Sequence, residues 1–222
     1  MAAQNLKLYL GQETPPFIPA SVRGSWHYDA AANPKNLGAA KSAVGSSAAV
    51  TIASASANRD GLCRRFISAA LAADTYFKGV VAGVLGAIES NVALNAYYRF
   101  HAYVIVGSSG DTLRGTIVNG WVDTAAEWGT AYGTAGQAVS APITELQAYA
   151  GDTLVIEIGA RCNADATTYT AKLYNGYDTA DLAVGGDANN NPGYLNFGYD
   201  NAPTAPVITA VQHTTHIDVT WA

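Results

Sequence analysis

Apolar and polar residues alternate over short stretches almost from the start of the chain, the period-two pattern of strands with one face in a core. Leu6, Leu8 and Leu10 share one side of an opening strand. Across 97–106, Tyr98, Phe100, Ala102, Val104 and Val106 point one way, and Tyr97, Arg99, His101, Tyr103 and Ile105 the other. The first of those faces is plainly the drier. Leu154, Ile156 and Ile158 alternate with Val155, Glu157 and Gly159, directly after Ala150-Gly151-Asp152. That tripeptide is turn chemistry, glycine supplying a permissive φ and aspartate a side-chain acceptor. Further strands are predicted over 22–28, 49–54, 62–68, 76–88, 112–121, 167–174 and 194–197. About ten strands at this spacing predict an all-β fold, an antiparallel β-sandwich or jelly roll with little helix.

The Ala-rich stretch 37–57 is the main challenge to that reading, because alanine is the best helix former. Gly45-Ser46-Ser47 interrupts it, the β-branched Val50 and Ile52 alternate, and no stripe of helical period persists. Strand and loop are therefore favoured, with room for a short helix over 37–44. Asn and Asp dominate 187–192, which marks a loop, and a second break falls at 201–206. The main domain is accordingly placed at 1–201. In the remaining 202–222, Pro203, Pro206, Ile208 and Val211 lead into Ile217, Val219 and Trp221, two short strands about a polar turn at 212–215. This tail resembles the opening of a fibronectin type III module, with its Pro-rich entry and a tryptophan closing the second strand. Two alternatives stay open: a truncated module, or two strands that complete the main sandwich.

Only 13% of the 222 residues are charged and 49% are hydrophobic, which excludes a disordered chain and implies a surface of Ser, Thr, Asn, Gly and Tyr. The net charge of −5, with basic residues scattered except for Arg64-Arg65, argues against nucleic acid as a partner. No basic start followed by an apolar run opens the chain, so no secretory signal is expected. The longest apolar run, 79–88, holds three glycines and is far short of the roughly 20 residues of a membrane-spanning helix, so no membrane span is expected. Cys63 and Cys162 are read as two buried free thiols.

Candidate chemistry is sparse. Gly-x-Ser-x-Gly does not occur, and the four histidines are divided between the tail (His213, His216) and aromatic-rich strands (His27, His101), where a lone histidine is more often structural than chemical. No zinc spacing is present. Asp187, Asn189 and Asn191 alternate as calcium ligands do, but Pro192 follows where glycine would be needed, and a turn is the favoured reading. No cofactor or metal is expected. Glu89, Glu127 and Glu157 are the carboxylates to inspect for a glycosidase-type pair. More suggestive are the 13 tyrosines and four tryptophans, of which Trp121, Trp128, Tyr132, Tyr177 and Tyr194 fall in or near predicted loops. Such side chains serve protein interfaces or stack on sugars, and equally well line a core.

At Leu6-Lys7-Leu8-Tyr9-Leu10, Arg23-Gly24-Ser25-Trp26, 150–159 and Gly193-Tyr194-Leu195-Asn196-Phe197, the chain resembles β-rich virion proteins of tailed bacteriophages, over roughly 1–200. The resemblance implies a non-enzymatic structural protein, a capsid decoration or cement protein or a tail-associated one. It would be assembled in the host cytoplasm, present in many copies, and partnered by other virion proteins. A carbohydrate-binding module for host-surface recognition is the alternative expectation, with Trp128 and Tyr132 as its stacking platform.

Overall fold

The computed structural model describes residues 4–20, 23–29, 34–53, 58–125, 127–163, 168–201, 208–212 and 217–221. In chain order the strands are β1 (Gln4–Leu10), β2 (Tyr28–Asp29), β3 (Lys35–Gly38), β4 (Ser46–Ala53), β5 (Arg59–Ala70), β6 (Thr75–Glu89) and β7 (Ala96–Ile105). They continue as β8 (Leu113–Val122), β9 (Gly136–Pro142), β10 (Leu146–Ala148), β11 (Thr153–Cys162), β12 (Thr168–Asn175) and β13 (Tyr194–Asn201). β14 (Ile208–Gln212) and β15 (Ile217–Trp221) pair only with each other, giving the two-strand tail read from the sequence. The only helical turns among the described residues are two 3₁₀ segments, Val92–Leu94 and Tyr132–Thr134. None is long and apolar enough to cross a membrane.

Thirteen strands form one hydrogen-bonded system in the order β4-β12-β6-β13-β1-β3-β5-β11-β7-β8, with β9 and β10 on β6 and β2 on β5. The path doubles back, so that β4 packs across on β5, and β12 on both β5 and β11. Pairing is antiparallel except where β2 and β3 run parallel to β5. β6 can be 15 residues long because it bends: Gly79 sits at φ +80°, and the β13 register slips opposite it between Phe197 and Tyr199. A side chain at that φ would strain the backbone.

The dry faces meet in a main core, with two smaller apolar clusters beside it. Phe66, Phe77, Tyr98, Phe100, Trp128 and Phe197 are its largest fully buried side chains, among Leu, Ile and Val from every long strand. Each large side chain so buried contributes roughly 1.5–3 kcal/mol. Cys63 and Cys162 lie in this core as free thiols, as expected, and burial pushes both up to about 12. They are chemically inert there.

Several local expectations are corrected. Of the predicted 22–28 strand, residue 22 lies outside the described residues and only Tyr28, at the start of β2, is strand, because residues 23–27 lie over the outer face of the sheet instead of pairing along it. Residues 37–44, by contrast, are strand and loop as favoured from the sequence: β3 ends at Gly38 and bends follow. β9 and β10 fall outside the strands expected from the sequence; β9, with Gly136, Ser140 and Pro142, has the composition of a loop, and β10 is only three residues long. His213, His216, Pro203 and Pro206 lie outside the described residues.

Candidate functional site

The polar side of β5, β11 and β7 carries the densest chemistry in the molecule. Cross-strand register places Glu157 of β11 between Arg65 of β5 and His101 of β7, and Arg161 between Asp60 and Tyr97. Glu157 is fully buried. Its Oε2 accepts from the Gly24 backbone N–H and the Trp26 indole N–H, both at 2.8 Å, and from the Tyr103 hydroxyl at 3.4 Å. Arg65 Nε stands 3.4 Å and Arg23 Nε 3.9 Å from its Oε1. Gly24 must be glycine: a Cβ there would sit 2.8 Å from Glu157 Oε2 and 2.7 Å from both the Tyr103 hydroxyl and the His101 ring.

Asp60, also buried, is held by Arg99 and by both arms of Arg161. These two carboxylates are compensated by guanidinium groups and N–H donors, the arrangement that lets charge stay in a core. His101 lies between Trp26, edge-on at 5.4 Å, and Tyr103, stacked at 5.9 Å. Burial, and then the neighbouring Arg99 guanidinium, hold its pKa down to about 4, so the imidazole is neutral at pH 7.

Above this floor is a cleft of about 380 Å³, lined by Arg23, Gly24, Ser25, Arg99, His101, Tyr103, Leu113, Thr116 and Asn119. The segment 23–26 forms one wall and β8 the other. Gly120, at φ +61° against Arg99 and His101, makes the bulge that sets Asn119 on the rim. Of these lining residues the sequence reading weighed only His101, as a structural strand histidine. The available signal was the alternation itself: Arg99, His101 and Tyr103 all fall on the wetter side of β7.

The structure also brings two of the three inspected carboxylates together. Glu89, fully buried at the end of β6, accepts from the Ala96 N–H at 2.9 Å. Burial pushes its carboxyl up to about 7, and the adjoining Glu127 carboxyl adds to this against the Ala96 hydrogen bond. Trp128 N–H donates to Ala96 O at 2.8 Å and Glu89 N–H to Gly129 O at 3.0 Å, closing the loop over the pair. Glu89 therefore sits beneath Trp128, inside the fold.

The five aromatic candidates do not form one surface. Trp128 is core, packed on Tyr98 at 4.9 Å. Trp121 is half-buried on Phe100 and lines a separate cleft of about 490 Å³ with Asp123 and Ser140. Tyr132 and Tyr177 are exposed, Tyr132 lying 6.0 Å from Tyr174. Tyr194 is half-buried under the Lys7 ammonium, 4.0 Å from its ring centroid. The Asp187 loop is a turn closed on itself, its carboxylate accepting from Asn189 N–H and the Asn190 amide.

No family model matches the chain, and no curated protein does. Among solved structures, the fold is similar to an aminopeptidase from a marine-sediment Thaumarchaeota archaeon, with a TM-score of 0.50 at 8% identity over 89% of this chain and 37% of that one. An α-amino acid ester hydrolase gives 0.48 at 8% identity over 87% and 36%, and a CocE/NonD family hydrolase from Staphylococcus aureus 0.46 at 12% over 90% and 37%. This chain thus spans little more than a third of the length of those structures. At such identity the first likeness speaks for the fold alone.

Proposed function

We propose that this chain is a non-catalytic binding module, a β-sandwich that takes a small polar ligand in the cleft between residues 23–26 and β8. The observation that carries this reading is a preformed cleft whose supporting carboxylates are already committed. Glu157 and Asp60 each face arginine and N–H donors, so they hold the walls in place and do not act as a free acid or base. Hydrolysis of the kind named for the similar structures is not carried over to a chain that spans a third of their length. The test is a glycan array probed with the purified chain, beside an assay on aminoacyl esters and amides. Saturable glycan binding without turnover is expected; turnover abolished by changing a carboxylate of this chain would overturn the proposal.

A second reading, a decoration or tail protein of a tailed-phage virion, is favoured by β4 together with the resemblance of 1–200 to such proteins. β4 ends the hydrogen-bonded path, carries no charged residue, and exposes Ser47, Ala49, Thr51 and Ala53, a surface suited to docking on a repeated lattice. Cryo-electron microscopy of the native particle should then show this chain at symmetric positions beside other virion proteins. Particles that lack it would end that reading.

A further inference from the structure

Resting on the binding-module reading, we infer that the cleft between Arg23 and Asn119 binds an acidic sugar, a pyranose that carries a carboxylate.

The lining decides the charge. Two guanidinium groups, Arg23 and Arg99, and no carboxylate side chain are among the residues that line the cleft. Each guanidinium has five N–H donors, and that of Arg23, exposed on the wall, is only partly engaged. Arg99 gives Nη1 to Asp60, holds Nη2 3.4 Å from His101 Nε2 and buries its Nε, so it fixes positive charge beneath the cleft, while Arg23 gives Nη2 to Asp29 and keeps Nε 3.9 Å from Glu157 Oε1. The neutral imidazole of His101 adds no charge, and its own Nδ1 is buried without a partner. A planar carboxylate matches such a fork by two parallel hydrogen bonds, which a neutral hydroxyl cannot do.

The rim decides the rest of the ligand. Ser25 and Thr116 offer short hydroxyls, and Asn119 an amide that also hydrogen-bonds His101, groups able to donate and accept, the complement of ring hydroxyls. Leu113, 46% exposed at the same rim, gives an apolar contact for ring C–H groups. A cleft of about 380 Å³ falls at the lower end of the range of about 300–1,000 Å³ for small-molecule sites. It suits one sugar and its linkage better than a bare oxyanion, which would leave the rim unused.

The test is titration calorimetry of the full chain with oligogalacturonate, against neutral galacto-oligosaccharide and inorganic phosphate. Saturable binding of the uronate is expected, weakening as salt rises. Asn119→Ala should weaken it about fivefold through one lost hydrogen bond, and Arg23→Gln about tenfold through a lost charge-assisted one. Both positions are on the accessible wall and rim, so each variant should fold, as circular dichroism will verify. Equal binding of the neutral oligomer or of phosphate would overturn the acidic-sugar inference and leave the binding module standing. Uronate binding that both variants leave intact would remove it from this cleft. If no glycan of either kind binds, here or on the array, the module reading falls as well.

Discussion

Two carboxylates, Glu157 and Glu89, are equally removed from water and have opposite partners. Around Glu157 the fold supplies two N–H donors, a hydroxyl and two arginines. Around Glu89 it supplies one backbone N–H and a second carboxyl, and burial first, then that neighbour, pushes the Glu89 carboxyl up to about 7. Burial alone therefore does not define a site. A carboxylate with arginines anchors a wall that a ligand can lean on, and a carboxyl with another carboxyl makes a proton-dependent joint.

Breaking the first arrangement should have the largest effect. Glu157→Ala leaves Arg65 and the Trp26 N–H facing an emptied, buried space and should cost about 3–5 kcal/mol. Urea denaturation measures it, and a loss below about 1 kcal/mol would mean that the network is ornamental. Gly24→Ala forces a methyl against Glu157, Tyr103 and His101, for about 1–3 kcal/mol and a measurable loss of cleft binding. Glu89→Gln sharpens the comparison through pH. Because the carboxyl of Glu89 is raised from 4.5 to about 7 in the folded chain, the folded state holds its proton more tightly than the unfolded one. Its contribution is fully present below pH 4.5 and is lost as pH rises through 7. Melting temperatures of the native chain should fall across that window relative to Glu89→Gln; parallel profiles would show that the Glu89 carboxyl is not raised in the folded chain. Smallest of all, Tyr132→Ser removes an exposed ring and should change stability by less than about 0.5 kcal/mol, with cleft binding untouched.

The contrast also explains what could be read from the sequence. β1, β4, β5, β6, β7, β8, β11, β12 and β13 were legible because their apolar residues recur at short period, a local property of the chain. β9 was not legible, since Gly136, Ser140 and Pro142 give it a loop composition and only its pairing with β6 makes it a strand. The burial of Glu157 was not legible, because the alternation gives the side it faces, not that residues 23–26 return to cover that side. Trp128 stood between core and interface for the same reason: a loop position says nothing about whether the loop folds inward over Tyr98. The aromatic count drew attention to Tyr132 and Tyr177, whereas the cleft is built from Arg23, Arg99 and Asn119, residues from three separate segments that share no motif.

The most direct test of the account is backbone NMR of the chain as oligogalacturonate is added. Shifts concentrated at residues 23–26, Arg99, His101, Thr116 and Asn119 are the predicted result and would place the ligand in the cleft that Glu157 and Asp60 support. Shifts centred instead on Tyr132, Tyr174 and Tyr177 would contradict it, and would return the binding surface to the exposed aromatic residues.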